Sequence, residues 1–282
     1  MDIRELLAQW DIEPNRALGQ NFLSDAGILE RIVAAADLSH SDVVLEIGPG
    51  LGTLTERLAR DAGRVVAVEL DHHMSGVLQE RLRRFSNLDL IEGDILSIDP
   101  GRIIQSVWEQ HPQLPRRYKV VANLPYYITS AAIRQLLEAS PQPTRLIVTV
   151  QREVAERITA SPGDMSVLAV SVQFYGRPTV LFRIKAGSFH PAPAVESAVV
   201  RIDSHPAPIV QVPDRETFFR VVKAGFSQRR KQLRNTLSAG LRRPREDVGA
   251  MLSELGIDPR RRAETLTIAE WGAIASAVGH CT

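Results

Sequence analysis

Four short segments carry residues whose types and spacing could do chemistry. The first reads E-I-G-P-G-L-G, from Glu46 to Gly52, between an apolar run and a helix-like stretch. Glycines at 48, 50 and 52 let the backbone approach a ligand closely and take conformations that a Cβ forbids. A purely structural tight turn reads the same way. The spacing is not the dinucleotide G-x-G-x-x-G, and the chain contains no G-x-x-x-x-G-K-[ST] phosphate loop, so nothing points to a triphosphate. The second is Glu69, 21 residues after Gly48 and at the end of the next apolar run. An acid there can accept hydrogen bonds from both hydroxyls of a ribose, or simply face solvent. The third is Gly93-Asp94, where Asp94 can accept from an exocyclic adenine amine or cap the next helix. An adenosine without phosphates, bound in this order, points to S-adenosylmethionine.

The fourth segment, Asn123-Leu124-Pro125-Tyr126, bears on the reaction class. An adenine N6 amine is a poor nucleophile because its lone pair is delocalised into the ring. The amide oxygen of Asn123 and the carbonyl of Leu124 could accept its two hydrogens and draw the nitrogen towards tetrahedral geometry. That would free the lone pair for in-line attack on a sulfonium methyl, with Tyr126 offering a π-face to the base. As a tetrapeptide, N-L-P-Y is also an ordinary turn before a helix.

These segments need elements to position them. Ile28, Leu29, Ile32, Val33 and Ala36 fall at helical spacing, so 25–37 reads as an amphipathic helix. Apolar strand-like runs at 43–47, 65–70, 88–91, 119–122 and 146–150 alternate with helix-like stretches, which implies a mostly parallel sheet covered on both faces. Strand-like runs at 167–175, 178–184 and 195–202 then follow one another closely and predict an antiparallel edge. A Pro-containing linker at 204–213 precedes helical periodicity over 214–224, 228–240, 246–256 and 267–278. The expected organisation is an α/β domain over 1–205, with a Rossmann-like sheet, and a small helical domain over 206–282.

Composition agrees with a globular chain: 282 residues, 44% hydrophobic and 24% charged, with a net charge of +1. No run approaches the roughly 18 apolar residues that cross a bilayer, and the N-terminus lacks the uninterrupted apolar core of a secretory signal. The single cysteine, Cys281, excludes an internal disulfide framework, and the expectation is a cytoplasmic protein without a membrane partner. Charge is unevenly spread: from Asp214 onward 13 Lys and Arg stand against 8 Asp and Glu, while the rest of the chain is net −4. Between Phe226 and Arg245 lie seven basic residues and no acid, including Arg229, Arg230, Lys231 and Arg234. Such a cluster suits RNA phosphates, or a solvated helix face. The seven histidines show no ligand spacing, so no metal is expected.

Taken together, the motifs resemble those of the rRNA adenine N6-dimethyltransferase family. The match runs from about Arg16 to the C-terminus. It carries A-L-G-Q-N-F-L (17–23), E-I-G-P-G-L-G-T-L-T (46–55), V-E-L-D (68–71), G-D-I-L (93–96) and N-L-P-Y (123–126). It continues through Q-R-E-V-A-E-R-I (151–158), F-H-P-A-P-A-V-E-S-A-V-V (189–200) and F-S-Q-R-R-K-Q-L-R-N-T-L (226–237). The resemblance implies a class I methyltransferase fold and places Asn21, Leu23, Gly48, Gly50, Glu69, Asp94 and Asn123 at S-adenosylmethionine. It implies that Phe189 stacks on the target base opposite Tyr126. It also implies two adjacent adenosines as substrate, in the 3′-terminal hairpin loop of small-subunit rRNA within a pre-30S particle, and a monomer is the simpler expectation. The chain departs from the family near Met165, where it is shorter and reads S-P-G-D-M-S-V. Rival readings are a large-subunit rRNA adenine methyltransferase, an NAD-dependent oxidoreductase and a non-catalytic subunit-assembly factor.

Overall fold

The structure is a computed structural model that describes residues 3–15, 18–207 and 209–279. Cys281, together with Arg16 and Ala17 at the start of the family match, lies outside the described residues. Contacts divide the chain into two compact units, Met1–Ala155 with Arg177–Ser204, and Glu156–Gly176 with His205–Thr282. The segment Glu156–Gly176 is thus grouped with the helices that follow residue 205, so the division is not a single cut along the chain.

The first unit opens with α1 (Ile3–Gln9), β1 (Phe22–Leu23) and α2 (Ala26–Ala36). The alternating core follows: β2 (Val43–Ile47), α3 (Thr53–Asp61), β3 (Arg64–Glu69), α4 (His72–Leu82) and β4 (Leu88–Glu92). Next come α5 (Pro100–Gln110), β5 (Tyr118–Asn123), α6 (Thr129–Glu138), β6 (Arg145–Gln151) and α7 (Arg152–Ile158). After α8 (Val167–Tyr175), the chain forms β7 (Gly176–Ile184), β8 (Phe189–His190) and β9 (Ser197–Ser204). Seven strands make one sheet in the order β4-β3-β2-β5-β6-β9-β7. The run from β4 to β6 is parallel, and β9 lies antiparallel on β6, as the sequence predicts for the far edge.

Every residue of β2 is buried, as are five of six in β3, so both faces of the central strands are covered. That burial is why these strands read as continuous apolar runs rather than alternating ones. The order has a direct consequence for function. The chain enters this sheet at β2, moves outward through β3 and β4, then returns to the other side of β2 at β5. Connections leave β2 and β5 in opposite directions, which opens a crevice at the carboxyl ends of those two strands. The predicted helix at 25–37 is α2; the carboxylate of Asp25 accepts from Ile28 N at 3.0 Å, and Leu29, Ile32, Val33 and Ala36 form its buried face.

The second unit contains α8, α9 (Arg215–Gly225), α10 (Leu233–Leu241), α11 (Arg245–Glu254) and α12 (Ile268–Gly279). Two sequence expectations are corrected here. Residues 167–175 are a helix, not a strand. The run V-L-A-V-S-V-Q-F-Y is apolar on nearly all sides, so periodicity cannot separate the two states, and Ser166 caps its start by accepting from Ala169 N at 3.2 Å. The helix expected over 228–240 begins only at Leu233, because a turn precedes it. The free N–H groups of its first turn are met from elsewhere: Leu233 N donates to Arg261 O at 2.7 Å and Arg234 N to Pro259 O at 3.2 Å.

Packing in this unit is tight around α9. Phe174 stacks on Phe218 with ring centroids 4.4 Å apart, and Trp271 is fully buried. A Cβ on Gly225 would come within 2.3 Å of the Trp271 ring. Gly225→Ala sets a helix-propensity gain of about 1 kcal/mol against overpacking of a rigid indole, which costs about 1–3 kcal/mol. The expected outcome of denaturant titration is a net destabilisation of the helical unit by up to about 2 kcal/mol.

Candidate active site

The crevice beyond β2 and β5 is lined by the glycine turn, Glu69, Asp94, Asn21, Leu23, Asn123, Leu124 and Tyr126. All of the sequence-predicted cofactor residues therefore meet in one cleft, although they come from positions 21 to 123. Two glycines show why side chains are excluded. Gly50 has φ +55°, and a Cβ there would sit 2.9 Å from the Phe22 ring; Gly48 has φ +64°, with Pro125 Cδ 3.4 Å from the same virtual atom. The turn is thus pressed between β1 and the N-L-P-Y segment.

Glu69 holds the turn from the side. Its Oε2 accepts from Gly50 N at 3.0 Å and its Oε1 from Asp71 N at 2.9 Å. Burial raises the Glu69 pKa, while these backbone donors oppose the rise. Two accepting bonds leave lone pairs free on both oxygens, the capacity that a vicinal diol needs. Asp71 in turn caps α4 through His73 N at 3.0 Å and accepts Gln20 Nε2 at 2.9 Å, which ties the segment before β1 to the same corner. Asp94 does what its capping alternative required: Oδ1 accepts from Leu96 N at 2.9 Å. It lines the cleft as well, so the capping bond and a ligand-facing position coexist.

Glu46 is a further acid on the wall of the cleft. It is 1% exposed, and burial, with the nearby charge of Glu69, pushes its carboxyl up to about 8. Thr55 lies close enough to ease this, yet neither Thr55 Oγ1 nor Glu46 Oε2 has a hydrogen-bond partner among the described residues.

At the end of β5, the amide of Asn123 is oriented by its donor side. Nδ2 donates to Asn21 O at 3.2 Å, and Asn21 Nδ2 donates to Gly19 O at 3.0 Å. The Asn123 Oδ1 is left as an acceptor. The first turn of α6 uses Pro125 O and Tyr126 O, which receive Ile128 N at 3.2 Å and Thr129 N at 3.4 Å. The carbonyl of Leu124 accepts no hydrogen bond among the described residues. Two oxygens on adjacent residues are therefore available to a pair of N–H donors. The Tyr126 ring is fixed by a 2.6 Å hydrogen bond between its hydroxyl and Ser197 Oγ.

Phe189 does not line this cleft. It is 4% exposed and packs in the apolar cluster with Leu23, Leu29 and Ile184, because β8 pairs with β1 in a register that sets Phe189 opposite Leu23. In this structure Phe189 is a core aromatic rather than part of the cleft wall. Arg229, Arg230, Lys231 and Arg234 are all exposed in the second unit, the first three in the turn before α10 and the last on it. Sequence reasoning missed Tyr127, which lines the cleft and is 56% exposed. Its signal was its place directly after N-L-P-Y. Phe22, inside the 17–23 motif, also lines the cleft. Among the described residues no group of three His, Cys, Asp or Glu could hold a metal ion.

Two measurements check this geometry. Gly50→Ala adds a strained φ and a contact with Phe22, and it displaces the N–H held by Glu69; binding of S-adenosylmethionine by calorimetry is expected to weaken about tenfold or more. Glu46 has a folded-state pKa of about 8 against 4.5 for an ordinary glutamate. The folded protein holds this proton longer than the unfolded chain does, so the associated stability is full below pH 4.5 and is lost as pH rises through about 8. Glu46→Gln is expected to remove that part of the decline, so that denaturation curves of variant and parent diverge progressively between those limits.

Comparison with known proteins places this arrangement. The family profile described as "Ribosomal RNA adenine dimethylase" matches residues 13–278. A protein named "Ribosomal RNA small subunit methyltransferase A" from Dehalococcoides mccartyi is 44% identical over 268 residues, 95% of this chain and 89% of its own length. One of the same name from Pelotomaculum thermopropionicum is 45% identical over 277 residues, 97% of this chain and 94% of the relative. Among solved structures, the 23S rRNA methyltransferase ErmE superposes with a TM-score of 0.70 at 27% identity, covering 92% of this chain and all of that one. A dimethyladenosine transferase from Plasmodium falciparum gives a TM-score of 0.75 at 24% identity, covering 90% and 95%, which supports the fold. Profile, relatives and strand order agree, and the chain belongs to the ribosomal RNA adenine dimethylase family.

Proposed function

We propose that this chain is an S-adenosylmethionine-dependent rRNA adenine N6,N6-dimethyltransferase, acting on two adjacent adenosines in the 3′-terminal hairpin loop of small-subunit rRNA during ribosome biogenesis. The observation that carries the reading is the free acceptor pair, Asn123 Oδ1 and Leu124 O, in the cleft that also holds the glycine turn and Glu69. The residues present fit the cofactor. A turn that a Cβ would block at Gly50 admits a ligand against backbone, and Glu69 keeps lone pairs for a ribose. When bound, S-adenosylmethionine supplies a methyl group on a sulfonium centre.

Asn123 Oδ1 and Leu124 O accept the two hydrogens of the N6 amine and turn its lone pair out of conjugation with the ring. The Asn21 carbonyl fixes the Asn123 amide in advance, so no reorganisation is needed during reaction. Tyr126, anchored on Ser197, gives the base a flat face and limits its rotation. A monomethylated amine still presents one hydrogen to the pair, so a second transfer at the same nitrogen is compatible with the same two acceptors.

On this reading residues 1–205 bind the cofactor and carry the chemistry, whereas 206–282 contact RNA. Arg229, Arg230, Lys231 and Arg234, all exposed, grip phosphates without reading sequence. The setting is a pre-30S particle in the cytoplasm, engaged by a monomer; no helix among the described residues is long and apolar enough to cross a membrane. The similarity to ErmE favours a second reading, methylation of large-subunit rRNA. Identities of 44–45% to small-subunit enzymes, against 27% to ErmE, favour the first.

The test is incubation with undermodified small subunits and methyl-labelled cofactor, followed by mapping of the label. N6,N6-dimethyladenosine in the 3′-terminal loop is expected, and no label in adenosine would end the proposal. Asn123→Ala is expected to lower kcat by about 100-fold or more, with subunit affinity little changed. An equal fall in subunit binding would instead mark Asn123 as a structural residue.

A further inference from the structure

A second cavity, of about 420 Å³, lies in the first unit beneath α1. Four arginines line it, Arg57 and Arg60 from α3, Arg81 from the last turn of α4 and Arg84 from just beyond it, and Glu56 is the one carboxylate among the lining residues. Arg57 is satisfied: it pairs with Glu30 at 2.7 Å and donates to Thr53 O at 2.7 Å. The other three guanidinium groups all turn to Glu56. Oε1 takes both Arg60 and Arg84, and Oε2 takes Arg81 at 3.5 Å. One carboxylate facing three guanidinium groups leaves two positive charges uncompensated in that set.

The shortfall in acceptors extends to individual atoms. Arg81 is 13% exposed at its side chain, and its Nη1 is buried without a hydrogen-bond partner. Trp10, which lines the same cavity, also has a buried Nε1 with no partner among the described residues. Both groups can only donate. The surplus positive charge is met neither by a cation nor by an apolar ligand. The match is a compact dianion with several acceptor oxygens, and planar guanidinium groups bind phosphate oxygens in pairs. The arginines are graded in depth, with Arg81 inside and Arg60 and Arg84 more than half exposed at the rim, so a phosphate can enter from solvent.

We propose that this cavity is a phosphate-binding site, separate from the methyl-transfer cleft, in which Arg60, Arg81 and Arg84 hold the oxyanion. It does not depend on the proposed methyl-transfer reaction. The phosphate can belong to an RNA backbone or to a free phosphate compound, and both use the same contacts. Leu23, Leu29 and Thr53 line both spaces, so the occupant is also tested against the cofactor.

Titration of the full chain with inorganic phosphate, followed by calorimetry and thermal shift, is the primary test. Saturable binding at one site is expected. Arg60→Gln/Arg84→Gln, confined to the exposed rim, should weaken it by about tenfold or more. Arg81→Gln should do the same, and Arg102→Gln, at an exposed side chain of α5 outside the cavity, should not. The second arm measures small-subunit RNA binding against salt. If the occupant is a backbone phosphate, the rim double variant also weakens RNA binding and flattens the salt slope by about 2 relative to Arg102→Gln. If it is a free phosphate compound, RNA binding is unchanged while phosphate binding is lost. The proposal is overturned if phosphate shows no saturable binding, or if the rim and Arg102 variants behave alike in both arms. It is also overturned if the rim variant weakens S-adenosylmethionine binding and leaves phosphate binding intact, since the arginines would then serve the cleft.

Discussion

Gly50 gives its N–H to one oxygen of Glu69 and Asp71 gives its N–H to the other. Through these two bonds a single buried carboxylate joins the turn after β2 to the turn after β3. The parallel register supplies the distance: Ile47, the last residue of β2, lies beside Val68, so Glu69 ends β3 one residue beyond, next to the glycine turn. Had the pairing slipped by one residue, Glu69 would point to the other face of the sheet and the turn would lose its brace. The rest of the cleft follows from this joint. Asp71 extends it to Gln20, and Phe22 closes over Gly50 at a distance that tolerates no side chain.

The contrast between Glu69 and Glu46 shows what those donors are worth. Both carboxyls are buried and sit at the ends of neighbouring strands. Glu69 has backbone N–H groups on both oxygens, so its ionised form is opposed by burial but supported by hydrogen bonds. Glu46 has no comparable support on Oε2, and burial pushes it much further, to about 8. Burial raises both acids, and the one with main-chain donors on both oxygens is the less strongly shifted.

Much of this was readable in advance where spacing follows from topology. Glycine turn, Glu69, Asp94 and Asn123 each end an apolar run, and ends of parallel strands lie along one edge by construction. What could not be read was anything set by contacts between distant segments. The apolar stretch 167–175 suits strand or helix equally, and Ser166 decides it only once the chain is folded. Arg229 to Lys231 fall in a turn because carbonyls at 259 and 261 fix where α10 starts, some 25 residues downstream. Tyr127 looked like any residue following a motif, and only the fold sets it at the cleft.

The segment from Phe189 to Ser197 explains how a motif can matter without all of its residues touching a ligand. At one end, β8 pairs with β1 and buries Phe189 against Leu23, which holds in place the strand that Asn21 directly precedes. At the other end, Ser197 is fully buried at the start of β9 and fixes the Tyr126 hydroxyl. Asn21 then orients the amide of Asn123, so both the acceptor side and the aromatic side of the cleft are braced by one short stretch of chain. Ser24 adds a third tie, with its N and Oγ both donating to Ser188 O at 2.9 Å. Phe189 therefore bears on the cleft by way of β1, against which it packs.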